Sequence, residues 1–216
     1  MEPVCGCCPL CGKPFTVAAN AHLCSRCHGG RRPYLWCRGL YLYTGAMARA
    51  LAALKFGRRL ALLAPLRRRL MDGWEGLEPK PEVELVVPVP ASWFRKWERG
   101  FNQASLLAEP LARALEVPLL ETALGRRGSR TQVGLGRADR ERNAARSFLP
   151  GKGIGKVAGR RVLLFDDVYT TGATVQACSR LLSRQGASVT VLTLARRAPD
   201  NLEHLVVDAA VGGEDT

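Results

Sequence analysis

The stretch Val162-Leu163-Leu164-Phe165-Asp166-Asp167-Val168-Tyr169-Thr170-Thr171-Gly172-Ala173-Thr174 constrains this chain more than any other. Four apolar residues run into two adjacent carboxylates. A Thr/Gly turn then opens a helix-like segment from Thr174 to Gln185, so the pattern predicts a buried strand feeding a helix. Successive backbone N–H groups at a helix N-terminus bind phosphate, and the helix dipole favours the same charge. Gly172 permits close backbone approach, and the hydroxyls of Thr170, Thr171 and Thr174 add donors. Asp166 and Asp167 would repel a phosphate. At the C-terminal end of a parallel strand they suit hydroxyl groups and a Mg²⁺-linked sugar instead. The ligand class that follows is a phosphorylated sugar, with its phosphate on the turn and its ribose diol on the acids.

The rest of the chain extends this strand–helix pattern. Met47, Leu51 and Leu54 predict a helix over 46–56, interrupted at Gly57, with a second helix over 59–71. Glu78-Pro79-Lys80-Pro81 is a connector, and Val83 to Val89 reads as a strand ending at Pro90. Residues 104–115 form an amphipathic pattern, Leu119-Leu120 is too short to assign, and 126–146 is a polar, Arg-rich loop running into a helix. Residues 161–165, 174–185 and 188–194 complete strand, helix, strand. The alternation predicts an α/β fold with a mainly parallel sheet flanked by helices.

Seven of the eight cysteines fall within the first 37 residues. The remainder is long enough to bury its own core, so a secreted disulfide scaffold is excluded. Cys8 and Cys11, then Cys24 and Cys27, give C-x2-C, a gap of twelve and C-x2-C, a spacing suited to tetrahedral Zn²⁺. Gly12 can take the positive φ that the first turn requires. Cys5 with Cys8 offers another C-x2-C, so a ligand set with Cys5 or Cys7 exchanged, an Fe–S cluster, or an oxidised metal-free state stays open. Cys178, within a helical stretch, reads as a small core residue. The expected division is a metal-binding module over residues 1–40, with a structural role for its zinc, and a larger domain over 41–216. No apolar run approaches the ~18 residues of a membrane span, and Met1-Glu2-Pro3 lacks a signal-peptide pattern, so a cytoplasmic protein without membrane insertion is expected.

Lys and Arg number 32 against 19 acids, a formal net charge of +13, unevenly spread. Residues 1–75 carry 12 basic and 3 acidic side chains, and residues 126–165 carry 11 and 2. Two basic blocks point to a polyanion, nucleic acid or a polyphosphorylated ligand; compositional bias is the plainer account. Arg31 to Arg38 with Tyr41 and Tyr43, and Trp93 to Arg99, interleave cations with rings, as single-strand binders do. Such rings also serve to pack a small module on its neighbour. Residues 126–146 have three readings: closure over the sugar phosphate, a grip on DNA, or solvation.

The segment from Asp166 to Thr174 resembles the ribose-phosphate fingerprint of type I phosphoribosyltransferases. That resemblance implies 5-phosphoribosyl 1-pyrophosphate (PRPP) with Mg²⁺. Asp166 and Asp167 would act as the catalytic pair holding the ribose hydroxyls, with Val168, Thr170, Thr171, Gly172, Ala173 and Thr174 around the 5′-phosphate. Arg95, Lys96 and Arg99, in a basic loop after Pro88-Val89-Pro90, fall where that family has its pyrophosphate loop. Gln132, Leu135, Arg140, Asn143 and Phe148 keep a Q-x2-L-x4-R-x2-N-x4-F spacing. With the four-cysteine module and Leu54-Lys55-Phe56, the chain from about residue 8 to 197 resembles the competence protein ComF family. Ser129 stands where members commonly have Thr. The family implies a type I phosphoribosyltransferase-like domain joined to a zinc finger, a role with single-stranded DNA in natural transformation, and the DNA-uptake helicase as partner. Three functions therefore compete: handling of single-stranded DNA with PRPP in the site, active phosphoribosyl transfer to an unidentified acceptor, and a zinc-module adaptor for the helicase.

Overall fold

In the computed structural model the described residues are 6–15, 22–57, 59–91, 100–127 and 147–197. Arg95, Lys96, Arg99, Cys5, Ser129, Gln132, Leu135, Arg140, Asn143 and the ring-bearing segment from Trp93 lie outside them.

The sheet is built on β5 (Arg161–Tyr169) and β6 (Ser188–Arg196), joined by helix α5 (Ala173–Ser183). Their side chains alternate between two apolar layers. Val162, Leu164, Val189 and Val191 join the layer containing Cys178 and Leu182 of α5, whereas Leu163, Phe165, Leu192 and Leu194 join the layer opposite. Burial on both faces explains the unbroken apolar runs of these strands. β2 (Leu85–Pro88) pairs with β5 and β1 (Cys37–Leu42) with β6, giving a four-stranded parallel sheet of order β1-β6-β5-β2.

Three helices cover the second layer. α2 (Gly45–Gly57) buries Met47, Leu51 and Leu54, the spacing that predicted it. α3 (Leu63–Glu75) follows a short 3-10 turn at Leu60–Leu62 and buries Leu66, Leu70 and Trp74. It runs one turn past the predicted end because Trp74 extends the apolar stripe before Gly76. α4 (Gln103–Ala114) buries Leu107 and Leu111. The unassigned Leu119 makes a single parallel bridge to Val86, whose N–H and carbonyl bond Pro118 and Leu120.

A two-stranded ribbon, β3 (Leu124–Arg126) with β4 (Phe148–Pro150), packs on the first layer and joins the two ends of the Arg-rich stretch. Arg126 is thus a strand residue with its guanidinium 5.0 Å from the Phe148 ring centroid. At the N-terminus, the one-turn helix α1 (Ser25–His28) carries Cys27. β1 crosses residue 40, running from the module into the sheet. Tyr34 and Tyr41 are buried, so these two rings serve packing rather than base stacking. Among the described residues no helix is long and apolar enough to cross a membrane.

Candidate functional site

β5 continues through both carboxylates to Tyr169, so Asp166 and Asp167 are strand residues at its C-terminal end. Each accepts the N–H of the following residue: Asp167 N–H to Asp166 Oδ1 at 3.0 Å, and Val168 N–H to Asp167 Oδ1 at 2.8 Å. These bonds hold the carboxyl groups in place without neutralising them. Lys55, in the last turn of α2, lies 3.6 Å from Asp167 Oδ2. Burial, reinforced by the charge of Asp167, pushes the Asp166 carboxyl well above the usual carboxylate range, and Lys55 only partly opposes this. Two adjacent carboxyls, Asp167 buried and Asp166 half-buried, with one cation beside Asp167, favour a ligand that brings hydroxyl donors or positive charge.

Beyond Tyr169 the chain turns through Thr170 and Thr171 to Gly172, which has φ +84° and caps α5. The Ala173 N–H donates to Thr171 Oγ1 at 3.4 Å, and the first turn of α5 holds no acidic residue. A left-handed glycine lets the chain reverse sharply into the helix, so the N-terminal N–H groups of α5 face the strand end. The turn therefore offers backbone donors and hydroxyls to an anion a few residues from two carboxyls.

A cleft of about 270 Å³ opens here. It is lined by the predicted Asp166, Asp167, Val168, Thr170 and Thr174, by Arg126 from the stretch that has closure over the sugar phosphate among its readings, and by residues to which the sequence had given no named role in this site: Tyr43, Lys55, Asn102 and Gln103. Thr171, Gly172 and Ala173 form the turn beside it. Asn102 Nδ2 donates to the Val89 carbonyl at 3.1 Å, fixing the start of α4 against the end of β2. Gln103 is only 6% exposed, yet neither amide atom has a hydrogen-bond partner among the described residues. A buried carboxamide left unpaired costs about 1–3 kcal/mol, which a bound group could recover.

The second site is the N-terminal module. Cys8, Cys11, Cys24 and Cys27 are all buried, with their sulfurs within 4.8 Å of one another. Cys11 Sγ and Cys24 Sγ are 3.6 Å apart, close to the ~3.8 Å edge of a tetrahedron with 2.3 Å metal–sulfur bonds. These four could hold a metal ion, and the donor set suits zinc. Burial alone would raise the Cys8 thiol, but backbone hydrogen bonds from Cys11, Cys24 and Leu10 bring it down to about 6. Gly12 has φ +67°, and a Cβ there would strike the Cys37 carbonyl. Cys7 stands outside the group, and Cys37 lies in the main core with its thiol pushed up to about 12 by burial. Cys178 is wholly buried in the core, as its helical setting suggested.

Residues 102–209 match the phosphoribosyl transferase domain family. The chain is 37% identical over 193 residues to DNA utilization protein YhgH of Escherichia coli K12, covering 84% of this chain and 79% of that protein. It is 32% identical over 194 residues to competence protein ComFC of Bacillus subtilis, covering 88% and 77%. With competence protein F of Haemophilus influenzae the identity is 41% over 115 residues, 52% of this chain and half (50%) of that protein's length. Among solved structures, adenine phosphoribosyltransferase from Leishmania donovani superposes with a TM-score of 0.43 at 16% identity, over 81% of this chain and 77% of that one.

Proposed function

Because this chain belongs to the family of competence protein F, ComFC and YhgH and carries a phosphoribosyl transferase domain, we propose that it handles single-stranded DNA during uptake and binds PRPP in the cleft at the end of β5. The observation that carries the PRPP reading is the meeting of Asp166 and Asp167 with the Thr170–Thr174 turn that opens α5. The turn receives the 5′-phosphate through the α5 N–H groups and the threonine hydroxyls. Asp166 and Asp167 accept hydrogen bonds from the two ribose hydroxyls, and ribose binding gives the raised Asp166 carboxyl a donor to face. Mg²⁺ entering with PRPP supplies charge neutralisation at the pyrophosphate oxygens. Arg95, Lys96 and Arg99 are assigned to that same end of the ligand.

Charge supports the DNA half of this reading, since the 12-to-3 excess of basic residues over 1–75 suits a polyanion. A structural Zn²⁺ on Cys8, Cys11, Cys24 and Cys27 completes the module, and thiolates kept reduced for a metal fit a cytoplasmic location. The uptake helicase is the protein partner we assign. Phosphoribosyl transfer to an acceptor is a second reading, favoured by the Gln103 amide in the cleft lining, which is buried without a partner among the described residues. There an acceptor able both to donate and to accept would be held.

The test is a fluorescence titration of labelled single-stranded DNA at two salt concentrations, with and without PRPP and Mg²⁺. Salt-steep binding is expected, with log K falling by about 0.7 per phosphate neutralised for each tenfold rise in salt. Weakening by PRPP would put DNA on the cleft's cations, and indifference to PRPP would put it elsewhere, such as the module. Absence of binding at low salt would remove the DNA role. Isothermal titration of PRPP alone tests the cleft, and pyrophosphate release in an acceptor screen tests transfer.

A further inference from the structure

The phosphate turn has a second support that reaches the metal module. Tyr169, 7% exposed, closes β5 directly beneath Gly172, and a Cβ on Gly172 would run into its ring and hydroxyl. The β5–β6 register sets Tyr169 beside Arg196, and the Arg196 guanidinium stacks 4.0 Å from the Tyr169 ring centroid. Arg196 is 5% exposed. Its Nη1 donates to the carbonyl oxygen of Cys11 at 2.7 Å, so it spans from the sheet to the first C-x2-C turn. Gly39 of β1 leaves the room for this crossing, since a Cβ there would collide with the Arg196 side chain.

A buried guanidinium needs compensating charge. Among the described residues no carboxylate pairs with Arg196; its contacts are a carbonyl, a thiol and a ring. Four thiolates around a divalent metal carry a net charge of two minus, and Arg196 is not the only cation that contacts the segments carrying them. Arg38 Nη1 donates to the Cys8 and Pro9 carbonyls at 3.4 and 2.9 Å, and Arg32 approaches the Cys27 thiol. A loaded cluster thus supplies the counter-charge that an empty one lacks. Groups of this kind around a metal fix both the ligands and whatever rests on them.

We propose that Arg196 is a positioning residue that ties the phosphate turn to the metal module. With the cysteines loaded it stays seated on Tyr169, and Tyr169 holds Gly172 and the turn in the phosphate-receiving form. The inference rests on the reading that this turn binds the phosphate of a sugar phosphate. Reciprocity follows, because a ligand favoured by the loaded module must in turn favour retention of the metal.

The experiment uses the full, zinc-loaded chain with ribose 5-phosphate as probe, followed by isothermal titration before and after zinc is stripped and after it is restored. Stripping should weaken ribose 5-phosphate by about 5- to 150-fold, the usual span of coupling between sites, and zinc should restore it. Arg196→Met should bind weakly whether or not zinc is present. In the wild-type protein ribose 5-phosphate should slow zinc release to a chromogenic chelator, and in Arg196→Met it should not. Equal losses on stripping in both proteins, or none in the wild type, overturn the proposal. Arg196→Lys keeps a charge and a donor for Cys11 but has no plane for Tyr169. It should retain zinc without the linkage, and full linkage in it would also overturn the proposal. If the zinc-loaded wild type ignores ribose 5-phosphate, the reading of the turn falls and this inference with it; intact binding untouched by Arg196→Met overturns the inference alone.

Discussion

Asp166→Asn tests the electrostatics of the carboxyl pair without disturbing its shape. Asparagine keeps an Oδ1 acceptor for the Asp167 N–H now bound at 3.0 Å, but it carries no proton to lose. In the unfolded chain Asp166 ionises near about 3.9. In the folded protein burial and the Asp167 charge delay ionisation to well above the usual range. Between those two pH values the native state holds a proton that the unfolded state has released. Stability therefore falls as pH rises through the window, with a limiting slope of about 1.4 kcal/mol per pH unit, and levels off above the folded pKa. The asparagine variant lacks this slope. Urea denaturation of both proteins at pH 5, 6, 7 and 8, without ligand, should show the variant's advantage growing with pH through that window. Parallel pH profiles, or an advantage that shrinks as pH rises, would refute the buried and repelled carboxyl. The same variant should lose binding of ribose 5-phosphate, the opposition of stability and function expected when a strained group serves a ligand.

Four other substitutions probe separate parts of the site. Gly172→Ala meets both a left-handed φ of +84° and the Tyr169 ring, so thermal unfolding should show a loss of at least about 1–2 kcal/mol, with sugar-phosphate binding lost as well. Lys55→Met removes the cation that partly opposes the raised Asp166 carboxyl, and pH-dependent titration of ribose 5-phosphate should show weaker binding with its onset moved to higher pH. Gln103→Leu exchanges a buried amide with no partner among the described residues for an apolar group, and should stabilise the ligand-free protein by about 1–3 kcal/mol in urea while weakening PRPP in isothermal titration. Cys24→Ser should abolish stoichiometric zinc by metal analysis and expose the module to limited proteolysis, since a unit of this size draws its folding energy from the metal.

Parts of this molecule written in local, periodic sequence were legible in advance. The run from Val162 to Thr174 announced strand, carboxyl pair, turn and helix, because every step in it is made by neighbours in the chain. Met47, Leu51 and Leu54 did the same for α2. β1 was hidden because it opens with Arg38 and follows a cation- and ring-rich stretch, a surface-like composition; only the sheet edge and the layer under α3 reveal Tyr41 as core. β3 and β4 were hidden for a different reason. Each has three residues, too few for a period to show, and they pair across the long Arg-rich stretch.

The site divides along the same line. Asp166, Asp167 and the threonines could be named because strand and turn chemistry are contiguous. Lys55, Gln103 and Arg126 come from α2, α4 and β3, and only the parallel sheet brings those elements to one edge. The Cys11–Arg196 hydrogen bond joins residues 185 positions apart, a distance over which no pattern in a single sequence carries information. What connects them is a physical need: a guanidinium buried at the end of β6 must find compensation, and it binds the carbonyl of Cys11, one of the four cysteines that would become a buried negative centre once loaded. A local reading therefore finds a four-cysteine module and a Thr/Gly turn as separate motifs. The fold places Arg196 and Tyr169 between them, with Arg196 bonded to the Cys11 carbonyl and stacked on the Tyr169 ring beneath Gly172, and it is through these contacts that the proposed coupling runs.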